Sequence, residues 1–110
     1  MALKWDDKYE VGHDRIDTEH RIFLELIVDF QQAIELNLAK AKKLRILKEI
    51  EKYAEFHFVS EENIMTDISY PDLEHHAKLH AHLLSEVQNE YYKLLSGQSE
   101  PEEVFEFLFQ

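Results

Sequence analysis

Residues 70–83 read YPDLEHHAKLHAHL, and within eight positions of this amphipathic stretch stand four histidines, His75, His76, His80 and His82. At about 100° per residue, His76 and His80 lie one helical turn apart on a single face. That face continues through Leu73, Leu83, Val87, Tyr91 and Leu94, so it is the apolar one. His75 and His82 fall about 100° and 120° away from it, toward solvent or a flank. Two imidazoles therefore point to a core and two do not.

Working outward, SYPD separates two helices. Pro71 suits a first helical position, and the residue before a proline is pushed out of helical conformation. The helix that follows is expected to reach about Leu95. The helix before it is expected from about Ala41 to about Thr66, with Ile46, Ile50, Tyr53, Ala54, His57, Glu61 and Ile64 on one side. Further upstream, Asp17 and Thr18 are candidate N-caps for a helix to about Leu38. Its stripe is His20, Phe23, Leu24, Ile27, Gln31 and Ile34. Downstream, SGQSEPEE combines a glycine stop with a serine or proline start, so EPEEVFEFLFQ opens a short or truncated fourth helix. Residues 1–16 carry Trp5, Tyr9, Val11 and Ile16 without helical spacing and are broken by Gly12, which suggests an N-terminal arm packed across the domain. Long amphipathic helices with short connections predict an all-α, up-down-up-down four-helix bundle, as one domain over residues 1–110.

The composition agrees. The 110 residues are 45% hydrophobic and 32% charged, with only two Gly and two Pro to punctuate strands. A formal charge of −11 argues against nucleic acid or an anionic membrane as partner, since both need a basic footprint. The absence of cysteine excludes thiolate metal sites and thiol nucleophiles. No run reaches the length of a membrane span, and MALKWDDKYE lacks the apolar core of a signal peptide, so a cytoplasmic protein is expected.

The second helix repeats the arrangement of the third. His57 and Glu61 are four apart, in line with Ile50 and Ile64, and His20 shares a stripe with Phe23 and Ile27. Any one of these histidines alone reads as a satisfied core or boundary residue. Four of them with a carboxylate inside an apolar bundle are costly to bury without a partner. A metal ion is the simplest partner: neutral imidazole and carboxylate suit iron, manganese or zinc, and bundle cores hold such sites with ligands from facing helices. His13, His75 and His82 read as surface residues, Glu49, Glu55 and Glu62 as a solvated face, and Phe23, Phe30, Tyr53, Phe56 and Phe58 as core aromatics.

VGHDRIDTEH, HFVSEENIM and YPDLEHHAKLH together resemble the hemerythrins, in particular their bacterial members, over essentially the whole chain. The resemblance implies a non-heme di-iron centre that binds O2 reversibly, without being an enzyme. Carried over by position, His20 and His57 look like ligands of one iron, His76 and His80 like ligands of the other, and Glu61 like a bridging carboxylate. Phe58 resembles a residue lining the family's oxygen pocket. The family's fourth helix brings a further histidine and an aspartate, for which EEVFEFLFQ offers no counterpart, so the di-iron centre is expected to be incomplete. If 110 residues is the natural length, exposed apolar faces predict a homo-oligomer. Other readings are a metal-depleted or mononuclear scaffold acting as a self-associating helical module, and a ferritin-like di-iron oxidase. The only Glu-x-x-His spacing that oxidase would need is Glu10 to His13, in the arm.

Overall fold

A computed structural model describes residues 13–108. They form four helices and, among the described residues, no strand: α1 Asp14–Glu35, α2 Lys40–Asp67, α3 Leu73–Leu95 and α4 Pro101–Leu108. Of the expected N-terminal arm, residues 1–12 lie outside the described residues, and 14–16 belong to α1.

The first helix starts earlier than expected because His13 caps it. His13 has extended backbone, and its Nδ1 accepts from the Ile16 N–H at 3.5 Å. Asp14 and Asp17 then occupy the first turn, where negative charge meets the positive end of the helix dipole. Pro71 is likewise not the first residue of α3. It lies in the turn, Asp72 takes the N-cap position, and the helix begins at Leu73. Pro101 does open α4.

Helices α1, α2 and α3 end in the same way. Asn37, Ser69 and Gly97 have φ of 52°, 54° and 80°, the left-handed conformation that turns the chain out of a helix. In each case two backbone N–H groups reach back over the last turn: Leu38 to Ala33 O, Tyr70 to Met65 O and Gln98 to Lys93 O, with Asn37, Ser69 and Gly97 themselves bonding to Ile34, Thr66 and Leu94. Otherwise orphaned carbonyls are thereby satisfied.

These tight ends produce antiparallel neighbours. Tyr53 and Ser60 of α2 reach Glu19 near the start of α1, and Lys40 at the start of α2 donates to Leu95 O at the end of α3. α2 packs between α1 and α3, and α4 returns against both α1 and α3. The arrangement is a four-helix bundle. No helix among the described residues is long and apolar enough to cross a membrane.

The interior divides lengthwise. Near the α1–α2 and α3–α4 connections it is apolar: Phe30, Leu47, Ile50 and Val104 are fully buried, joined by Ala33, Ile46 and Leu94. Each large apolar side chain buried there contributes about 1.5–3 kcal/mol. Toward the other end the buried side chains turn polar, with Glu19, His57, Ser60 and His80 almost wholly enclosed. Phe56, expected in the core, is 52% exposed. It precedes His57 by one position, about 100° off the buried stripe, and packs at a tilt against Tyr53 instead.

Candidate metal centre

The polar half is built from three helices. α1 contributes His20, α2 contributes His57 and Glu61, and α3 contributes His76 and His80. The four-residue spacings of α2 and α3 aim each pair at the same seam. His20, His57 and Glu61 bring one ligand atom each within 4.8 Å of one another, and Glu61, His76 and His80 do the same. Glu61 belongs to both groups. Its Oε2 lies 3.4 Å from His57 Nε2 and 3.9 Å from His20 Nε2, while its Oε1 lies 3.2 Å from His80 Nε2.

The outer sides of two rings are held by carboxylates. His57 Nδ1–H donates to Glu19 Oε1 at 2.7 Å, and His80 Nδ1–H donates to Glu62 Oε2 at 2.9 Å. With the proton committed to Nδ1, the neutral ring presents a bare Nε2 lone pair inward. At both rings that lone pair faces a Glu61 oxygen, so electron-pair donor confronts electron-pair donor. A cation belongs between them, either a second ring proton or a metal ion. Ligand atoms around an ion at about 2.1 Å stand roughly 3.0–3.4 Å apart, the spacing seen at His57 and His80. The donor set thus fits a metal ion at each group, with Glu61 common to both.

Glu19 and Glu62 were not expected here. Glu62, read as part of a solvated face, turns inward to His80, while Glu49 and Glu55 are exposed as anticipated. Glu19 also accepts from Ser60 Oγ at 2.7 Å and from Arg15 Nε at 3.1 Å. Burial pushes its carboxyl up, but the bonds from Ser60, His57 and Arg15 outweigh this and hold it below the usual carboxylate value. Burial, reinforced by the neighbouring His57, lowers His20 below the ordinary histidine value despite the opposing pull of Glu61, which favours the neutral, ligating form.

The aromatic shell is close. Phe58 stacks in parallel on His80, with ring centroids 4.3 Å apart at 7°, and Tyr70 meets His76 edge-on at 5.4 Å. Phe58 also lines a cavity of about 320 Å³ over His20 and His57, walled by Phe23, Leu83, Val87 and Phe107 with Glu86 at its side. His75 and His82 are exposed as the helical phase requires, His82 pairing with Glu86 at 2.9 Å. No described side chain of α4 joins either group of ligands.

A family model described as the hemerythrin HHE cation binding domain matches residues 11–110. The chain belongs to the hemerythrin family. Among similar hemerythrins, the bacteriohemerythrin of Clostridium acetobutylicum is 34% identical over 88 residues, covering 77% of this chain and 68% of that protein. The myohemerythrin of Theromyzon tessulatum is 31% identical over 78 residues, covering 71% and 59%, and the bacteriohemerythrin of Stenotrophomonas maltophilia is 26% identical over 102 residues, covering 93% and 66%. The chain therefore spans 59 to 68% of the length of these hemerythrins.

Proposed function

We propose that this hemerythrin domain carries a non-heme di-iron centre that binds O2 for storage, transport or sensing. The observation that carries the reading is the division of Glu61, whose two oxygens each face the inward nitrogens of a different histidine group. In this reading His20 and His57 would hold one iron and His76 and His80 the other, with Glu61 shared between the two groups. When bound, the iron pair supplies the electrons and the open coordination position that O2 binding requires. The chain's own residues do the rest. Glu19 and Glu62 keep the Nδ1 protons outward so that Nε2 would be free to ligate, Glu61 would offer one oxygen to each group, and Phe58 with the apolar cavity wall lines the approach to the centre.

The test is iron content per chain, with absorption spectra of the reduced protein before and after it meets air. About two irons with a reversible near-ultraviolet and visible change support the proposal. His76→Ala should lose metal and band while His75→Ala keeps both; equal loss in the two variants would reject the ligand assignment. Absence of iron uptake would reject the function. Steady turnover of a reductant with O2 would move the assignment to an oxidase.

A further inference from the structure

We propose that the two ligand groups are unequal metal sites, the one at His20 and His57 filling first, and that Glu62 is the positioning residue on which the weaker one depends. The inference rests on the metal-centre reading above and concerns how this chain divides the work between its halves.

The two outer carboxylates differ in how firmly they are themselves held. The Glu19 side chain is 7% exposed and receives three donors, from His57, Ser60 and Arg15. It has no freedom to turn away, so His57 stays oriented. The Glu62 side chain is 32% exposed, and among the described residues its carboxylate receives only His80. A side chain with one bond and water beside it spends part of its time elsewhere.

His80 depends on that bond more than its contacts suggest. The parallel Phe58 ring fixes the plane of the imidazole. It does not fix which edge faces inward, because a half-turn about the Cβ–Cγ bond keeps the same plane and exchanges each nitrogen for a carbon. Among the described residues Glu61 faces the Nε2 edge and Glu62 holds the Nδ1 edge, and it is the bond to Glu62 that takes up the Nδ1 proton and leaves Nε2 free to ligate. His20 also lies in the field of Asp17 and Glu19, which adds to the hold of its half on a cation.

Sharing Glu61 adds to the difference. The first dication to bind draws on the charge of the one bridging carboxylate, and the second must bind beside a like charge with less negative charge left to offset it. The better-organised half takes the first ion, and the cost falls on the half held by Glu62.

The experiment titrates the metal-free full chain with zinc ion, a diamagnetic probe, followed by calorimetry and by nitrogen-15 NMR of the imidazoles. Two steps are expected, the first moving the His20 and His57 signals and the second, weaker, moving His76 and His80. Glu62→Ala should weaken the second step by roughly 10–100-fold and leave the first unchanged. Before any metal is added, it should also shift the His80 nitrogen-15 signals and leave those of His57 in place, with helicity unaltered. Glu62→Gln, whose amide oxygen still accepts from Nδ1–H, should restore most of both effects. Two equal steps, loading of His76 and His80 first, or unchanged His80 signals in metal-free Glu62→Ala would overturn the inference and leave the metal-centre reading standing. No zinc uptake by the unaltered chain would overturn both.

Discussion

Tyr53 is tied to the outer wall of the site through a single bond, its hydroxyl donating to the backbone oxygen of Glu19 at 3.1 Å. Burial, and after it the Glu19 charge, raise its phenol above the ordinary value of 10.0. A raised folded-state value favours the neutral phenol, so this contribution to stability is complete below about pH 10 and is lost as pH rises through the folded value. Tyr53→Phe should cost about 1 kcal/mol at pH 7 for the lost hydrogen bond. Urea unfolding of both proteins should show that gap narrowing above pH 10; a constant gap to pH 11 would contradict the account. At this scale the sequence was readable where chemistry follows helical phase. His20, His57, Glu61, His76 and His80 converge because their spacing brings them to one seam. Glu19 and Glu62 were missed because each sits one position from a ligand, about 100° off the stripe, where a charged residue ordinarily meets water. Only the packed neighbour helix reveals that a ring nitrogen waits there.

At the scale of elements, three helices stop by the same device with three different residues in the left-handed position. Gly97 adopts its φ of 80° freely, and the sequence announced that stop. Asn37 tolerates the region better than most residues, while Ser69 at 54° carries the usual steric cost of roughly 1–2 kcal/mol for an L-residue. Ser69→Gly should therefore raise stability by about 0.5–1 kcal/mol, after part of the relief is offset by the greater freedom of the unfolded chain. A higher urea midpoint at unchanged slope would bear this out, and a lower midpoint would refute it. The same comparison explains the misread boundaries. His13 as an N-cap and Pro71 held in a turn are decided by single local bonds and a single φ/ψ choice, to which hydrophobic periodicity is blind. Periodicity did locate α1, α2, α3 and α4, because it is dictated by the core they share.

Over the whole molecule, stability is shared between an apolar half and a polar half whose facing nitrogens and carboxylate oxygens fit a cation. Phe30, Leu47, Ile50 and Val104 hold one end without assistance. Adding metal at about 100 times its dissociation constant should stabilise the fold by about 2.7 kcal/mol and raise Tm by roughly 10 °C. Hydrogen exchange should place the gained protection in the first half of α1, the second half of α2 and the first half of α3, with little change around Phe30 and Leu47. A uniform gain along the helices would show that the halves are not separable. The bundle was legible because burial of stripes is a property of the chain taken together. The partition within it was not, since the stripes of α1, α2 and α3 run unbroken from leucine and isoleucine into histidine.

The short connections sort themselves by end. Residues 36–39 and 96–100 lie at the apolar end, far from the imidazoles, whereas 68–72 lies at the other and contains Tyr70, whose ring rests on His76. A foreign domain grafted between Gln98 and Ser99 would ride on the bundle as passive cargo. The same graft at Ser69 would be wired to the histidines, its folding and tension passed to Tyr70 and on to the ring beneath it, which makes that loop the natural splice point for a sensor built from this chain.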